Sequence, residues 1–171
     1  MSEAKPSPVW RFTERGAIRA DAAAIARLID THAADGGTLA RDADEVADSI
    51  GEFVVVEGRQ KPSSADASEW IAACGALVMF SPALAEIRSV AVDPASQGQG
   101  FGRRIVERLV AEAAMLEIDR VVLLTREPGF FRRCGFSEVD EAFLPVDFLE
   151  EMIVARGRTC AGRAIMLRSL S

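Results

Sequence analysis

The stretch Gln97-Gly98-Gln99-Gly100-Phe101-Gly102 carries the clearest chemistry in this chain. It follows an apolar strand, Ile87 to Val92, that ends at Asp93-Pro94, and it precedes apolar residues at helical spacing from Arg103 to Leu116. Glycines at a strand-to-helix turn let backbone N–H groups approach a ligand closely. The free amides and positive end of the new helix then favour an anion, typically phosphate. No Gly-x-Gly-x-x-Gly follows a strand and no Gly-Lys-Ser/Thr is present, so the loop is neither a dinucleotide fingerprint nor a Walker loop. Arginines form a second anion-seeking group: Arg88, Arg126, Arg132, Arg133, Arg156, Arg158 and Arg163. Arginine meets carboxylates through a planar, two-pronged geometry that lysine lacks. Arg88 shares a strand face with Glu86, two residues earlier. Arg126 falls just past the C-terminal end of a strand, where ligands collect in open α/β sheets. Each arginine taken singly also fits a solvated surface charge.

Those residues need a frame, and the apolar pattern supplies one. Residues 1–8, with two prolines, read as a loose tail, and residues 9–171 as a single domain. Val9 to Phe12 and Ala17 to Arg19 read as pieces of a first strand. A helix capped by Asp21 runs to about Ala34 and stops at Asp35-Gly36-Gly37, and a short helix follows from Ala43 to Ile50 after Asp42. Phe53 to Val56 is a strand, Gly58 to Ser68 a surface loop, and Trp70 to Phe80 a strand broken by Ser81-Pro82. After the long helix come a buried parallel-type strand (Arg120 to Thr125) and a short helix (Pro128 to Arg133) ended by Gly135. A strand (Phe136 to Val139), a helix (Pro145 to Arg156) and a closing strand (Ala164 to Leu170) complete the chain. The order predicts an α/β fold: a mixed sheet of about six to seven strands flanked by helices, with 85–92 and 120–125 parallel across a right-handed crossover.

Composition narrows the partners. A formal net charge of −6 argues against nonspecific nucleic-acid binding, which needs a basic footprint. The longest apolar run, Ile71 to Phe80, is about half a membrane span, and no apolar signal core opens the chain, so a cytoplasmic location is expected. Three cysteines show no paired spacing, and Cys74 and Cys160 read as reduced core thiols. With one histidine, His32, a His/Cys metal site is hard to assemble, so no metal is expected. His32, near the end of an amphipathic helix, reads as structural or solvated.

The segment Ser89-Val90-Ala91-Val92-Asp93-Pro94 through Gln97-Gly98-Gln99-Gly100-Phe101-Gly102 resembles the acetyl-CoA signature of GNAT acetyltransferases. The second half of that signature is similar to Phe130-Phe131-Arg132-Arg133-Cys134-Gly135-Phe136. The resemblance implies a GNAT fold whose parallel strands splay apart. It implies acetyl-CoA as cosubstrate, its pyrophosphate on the amides around Gln97, Gly98, Gln99, Gly100, Phe101, Gly102 and Arg103. Its pantetheine arm would lie along the main chain of Val90, Ala91 and Val92, with an N–H near Val90 facing the thioester carbonyl. Acetyl transfer to an amine requires loss of a proton, and Glu86 stands four residues before the expected acetyl position, as a catalytic base or substrate-orienting group. Phe131 occupies the position where the family usually has tyrosine. It can pack on the pantetheine but cannot protonate the departing thiolate. Cys134, nearby, reads as packing.

A narrower likeness concerns Ala85-Glu86-Ile87-Arg88-Ser89-Val90-Ala91-Val92, Leu124-Thr125-Arg126 and Leu144-Pro145. These resemble the acetyltransferase domain of N-acetylglutamate synthases, in a short single-domain form. This implies L-glutamate as acceptor at the entry to arginine biosynthesis, held by Arg88, Arg126 and Arg158. Longer relatives often place Arg where Cys134 stands, which leaves glutamine or another amino acid open. A peptide N-terminus or lysine as acceptor, and a non-catalytic acetyl-CoA sensor, also stay open, as does a homodimer. No nucleic-acid or membrane partner is expected.

Overall fold

The computed structural model describes residues 10–34, 39–60 and 69–171. Strand β1 (Trp10–Gly16) leads through a single 3-10 turn into helix α1 (Ala22–Ala33) and the short helix α2 (Ala43–Asp48). Strands β2 (Phe53–Gln60), β3 (Glu69–Ser81) and β4 (Leu84–Val92) follow, then helix α3 (Phe101–Met115) and strand β5 (Arg120–Thr125). Helix α4 (Pro128–Arg133), strand β6 (Ser137–Val139), a helical stretch from Val146 to Arg156 and strand β7 (Ala164–Ser169) close the fold. The seven strands form one mixed sheet in the order β1-β2-β3-β4-β5-β7-β6, with β4 and β5 its parallel pair.

Local chemistry explains the boundaries. Helix α1 buries Ala22, Ile25, Ala26, Leu28 and Ile29, a stripe at helical spacing. Asp42 caps α2 in a reciprocal box: its carboxylate accepts from the Glu45 N–H at 2.8 Å, while Glu45 accepts from the Asp42 N–H at 2.9 Å. Asp21 holds the position before α1 but does not cap it. Its carboxylate is taken by both terminal nitrogens of Arg15, at 2.7 and 3.0 Å, and by the Ile18 N–H at 2.8 Å.

Several boundaries differ from the sequence pattern. The first strand is continuous from Trp10 to Gly16, and Ala17 to Arg19 lie outside it, because β1 pairs along its whole length with β2. Strand β2 does not stop at Val56. A register shift at Val56/Glu57 lets it continue through Gly58 to Gln60, where the Trp70 ring covers the bare Cα of Gly58. The expected loop thus contributes three strand residues, and 61–68 lie outside the described residues, as do the tail and the Asp35-Gly36-Gly37 stop. The helix expected over 145–156 is three short pieces: Val146–Phe148, a π turn at Leu149–Ile153 and a 3-10 turn at Val154–Arg156. The π turn buries Met152 and Ile153. Cys160 is half-buried at the edge of the core rather than within it.

The sheet separates its core into layers. Helix α3 packs Ile105, Val106, Leu109 and Ala113 against Val54, Val56, Ala73, Ile87 and Val121. On the opposite face α1 and α2 cover Phe53, Val55, Cys74, Ala76 and Ala91. The C-terminal helical stretch sets Phe148, Met152 and Ile153 over Val78, Leu84, Val122 and Ile165.

Candidate active site

A defect in the sheet creates the site. Cys74 pairs with Ala91 and Ala76 with Arg88, so Ser89 and Val90 oppose the single residue Gly75. This is a β-bulge, and Ser89 holds the left-handed φ of +56° that it requires. Gly75 has no room for a side chain, since a Cβ there would lie 2.6 Å from Ile105 Cγ2 and 3.0 Å from Leu109 Cδ1. On the other edge, β4 pairs with β5 only from Leu84/Arg120 to Glu86/Val122. Both strands run on, to Val92 and Thr125, without pairing. Past Glu86, the β4 edge that faces β5 therefore has no strand neighbour.

Two cavities open at this splay. The larger, about 710 Å³, runs from Arg88, Ser89, Val90, Ala91 and Val92 to Gln97, Gly98, Gly100, Phe101, Gly102 and Arg103. Its opposite wall carries Leu123, Arg126 and Phe131. Gly98 and Gly100 adopt φ of +79° and +81°, the left-handed backbone that glycine tolerates, and a Cβ at either would meet no other protein atom. The first bond within α3 runs from the Arg104 N–H to the Gly100 carbonyl, so the amides of Phe101, Gly102 and Arg103 precede the helical ladder. They offer unpaired donors at the positive end of a 15-residue helix. Gln99 is exposed and does not line this cavity. Phe131 is packed in the core, edge to face with Phe130 at 4.9 Å between centroids, and carries no proton donor. His32 lines the cavity, with Nε2 2.7 Å from the Val92 carbonyl, so it is tied to the main chain rather than solvated.

The smaller cavity, about 450 Å³, shares Arg88, Ser89 and Leu124 with the first. Arg41, Arg88, Arg156, Arg158 and Arg163 line it, with Glu45 as the one carboxylate among its lining residues. Arg41 Nη1 and Arg88 Nε are buried without hydrogen-bond partners. Burial pulls the Arg88 guanidinium below the usual arginine range. Glu86 and Glu52, the latter 3.8 Å from Arg88 Nη2, oppose that shift, while Arg156 and Arg41 reinforce it. Arg163 is lowered too, by burial and then by Arg126 and Arg158. Concentrated cations, two of them with an unfilled buried nitrogen, have the chemistry to bind a small polyanion. Arg126 faces the larger cavity instead, exposed at the end of β5.

Glu86 is fully buried and lines neither cavity. Arg158 covers it: Nη2 donates to Oε1 at 2.5 Å and Nη1 to Oε2 at 3.1 Å. Nη1 also donates to the Met152 carbonyl at 2.9 Å. The carboxylate expected to act on the acceptor, and an arginine expected to bind it, are thus bonded to each other. Cys134 is buried, lines neither cavity, and its thiol is pushed up chiefly by burial.

Arg41 escaped the sequence reading. It precedes the cap of α2, and its guanidinium lies 5.6 Å from the Phe53 ring centroid, with Nη2 donating to Ser49 Oγ. The available signal was a lone arginine beside a capping box, which local patterning does not distinguish from a surface charge. Among the described residues, no cluster of His, Cys, Asp and Glu that could hold a metal is found. None of the described helices is long and apolar enough to cross a membrane.

Comparison with known proteins agrees with this geometry. Residues 49–138 match the family profile described as an acetyltransferase (GNAT) domain. An amino-acid acetyltransferase of Mycobacterium tuberculosis is 37% identical over 138 residues, covering 81% of this chain and 75% of the relative. A crystal structure of a Mycobacterium tuberculosis protein in complex with CoA superposes with a TM-score of 0.75 at 32% identity, over 93% of this chain and 99% of that one. N-acetylglutamate synthase of Neisseria gonorrhoeae, solved with coenzyme A and N-acetyl-glutamate, superposes with a TM-score of 0.77 at 25% identity. That match covers 94% of this chain and 35% of the synthase. The chain belongs to the GNAT acetyltransferases and is an acetyl-CoA-dependent acyltransferase, as the paired motifs at 89–102 and 130–136 imply.

Proposed function

We propose that the chain acetylates the α-amine of a small acidic amino acid, with L-glutamate as its acceptor. The product would be N-acetyl-L-glutamate, at the entry to arginine biosynthesis. One observation carries this reading: an arginine-lined cavity with unfilled cationic donors meets the larger cleft at Ser89, where β4 and β5 part. A peptide groove would not need five arginines around 450 Å³. The relatives named for amino-acid acetylation and N-acetylglutamate synthesis lend support.

In this mechanism acetyl-CoA lies in the larger cleft, its pyrophosphate on the amides from Gly98 to Arg103 and its pantetheine along Val90, Ala91 and Val92. The acceptor carboxylates meet Arg41, Arg88 and Arg158, with Arg126 on the cofactor side. The acceptor's ammonium loses a proton toward Glu86 through water, the neutral amine attacks the thioester carbonyl carbon, and the nitrogen sheds its second proton to solvent as the tetrahedral intermediate collapses. The N–C bond forms, the C–S bond breaks, and CoA leaves as thiolate, since Phe131 cannot donate. Glutamine is the second reading, because Glu45 in the same cavity could accept from a side-chain amide.

A thiol-release assay with acetyl-CoA against the twenty amino acids tests the proposal. Turnover is expected to be highest with glutamate. A preference for glutamine selects the second reading, and turnover with peptides alone overturns both. Glu86→Gln should lower kcat at least about 100-fold, within the range of general-base catalysis, while acetyl-CoA affinity changes less than about twofold.

A further inference from the structure

Resting on the acceptor reading above, we propose that Arg158 is a positioning residue that joins the acceptor's α-carboxylate to Glu86, so that the base is aligned only for amines that carry a carboxylate on the same carbon. The geometry is that of a two-edged plane. One edge, Nη1 with Nη2, holds both oxygens of Glu86. The other, Nε with the second Nη2 proton, makes no bond among the described residues and belongs to a side chain that lines the arginine cavity. Glu86 reaches neither cavity by itself. Among the described residues, Arg158 is the side chain that both bonds the buried carboxylate and lines the arginine cavity. A guanidinium has five donors in a rigid fork, enough to serve two carboxylates at a fixed separation.

The support behind Arg158 is rigid. Nη1 is tied to the Met152 carbonyl, and the Arg158 N–H to the Ile153 carbonyl at 2.9 Å, both on the π turn. Glu86 sits at the last paired position of β4 and β5. An α-carboxylate on the outer edge of Arg158 would place the adjacent amine at a set distance from Glu86, close enough for one water to bridge. Arg41 and Arg88, each with a buried unpaired nitrogen, remain for the side-chain carboxylate.

The test compares kcat for the wild type's best amino-acid acceptor with kcat for that acceptor's α-carboxamide. The wild type should favour the carboxylate strongly. Arg158→Lys, which keeps the charge but loses the two-edged plane, should lower kcat for the carboxylate form at least about tenfold and compress the ratio by a similar factor. KM for acetyl-CoA should stay unchanged. Equal losses on both acceptors would mean that Arg158 merely supports Glu86, and would overturn the proposal, as would an unchanged kcat. If Arg158→Lys does not fold, by its thermal midpoint, binding of the two acceptor forms is compared in Glu86→Gln and in Glu86→Gln/Arg158→Gln. Only the first should keep the preference for the carboxylate, and equal preference overturns the proposal. A wild type inactive on every amino acid overturns both this inference and the acceptor reading. A compression failure in an active enzyme overturns this inference alone.

Discussion

Arg41 and Arg88 enter the same cavity from opposite sides of the sequence, one from the loop before α2 and one from β4, each with a buried donor left unfilled. An unfilled buried donor is unfavourable, and a bound carboxylate would satisfy it. Arg41 lines only the arginine cavity, so its effect should fall on the acceptor alone. Arg41→Ala is expected to raise the acceptor KM by roughly 10–100-fold, the equivalent of about 1.5–3 kcal/mol for a charge-assisted bond, with acetyl-CoA KM unchanged in steady-state kinetics. The glycine loop, Glu86 and most of the arginines were legible because each lies in a short contiguous motif. Arg41 was not, since its position depends on how α1 and α2 pack. The Glu86–Arg158 pair was not legible either: 72 residues separate the partners, and side-chain spacing says nothing about which distant groups will bond.

Among elements, the interlock between β3, β4 and α3 matters most. Gly75 lets Ile105 and Leu109 press on the sheet directly opposite the bulge. Gly75→Ala is expected to destabilise the fold by about 1–3 kcal/mol, as overpacking does, and to raise KM for acetyl-CoA as α3 or the bulge shifts. Urea unfolding and steady-state kinetics check the two halves of that statement. The order of elements was legible because apolar period and turn residues agree over most of the chain. Strand β5 and helix α4 fall where the pattern sets them. The bulge left no local signal beyond a glycine within an apolar run. The π turn was hidden because Pro145 to Arg156 has helical composition throughout, with no local signal for a wider turn.

For the molecule as a whole, charge is segregated. The net charge is −6, yet of the 20 basic residues only Lys5 and Lys61 are lysines. Five of the 18 arginines line the arginine cavity, and others pair with carboxylates, such as half-buried Arg15 with Asp21 and Glu57. Burial by itself would raise the Asp21 carboxyl, but the bonds from Arg15 and the Ile18 N–H outweigh it and hold the group below the ordinary carboxylate value. A depressed folded value means that the unfolded chain binds the proton more readily. The contribution to stability is therefore complete above about pH 4 and fades as pH falls further through the folded value. Asp21→Asn should lower the urea midpoint near neutral pH, and its difference from wild type should shrink at pH 3. A constant difference across that range would contradict the pairing.

The bulge also sets the phase of β4. Ile87 faces the α3 layer, as do Val90 and Val92, whereas Ala91 faces the α1 layer. In an unbroken strand, odd and even positions would alternate throughout, and Ile87 would share a face with Ala91 instead. Ser89 is thus the extra beat that shifts the alternation. Removing it would restore a regular ladder while every flanking side chain kept its present layer, so a deletion usually ruinous in a buried strand becomes a mild one here. A chain lacking Ser89 should fold to the same sheet and lose acetyl transfer, separating what the fold needs from what the chemistry needs.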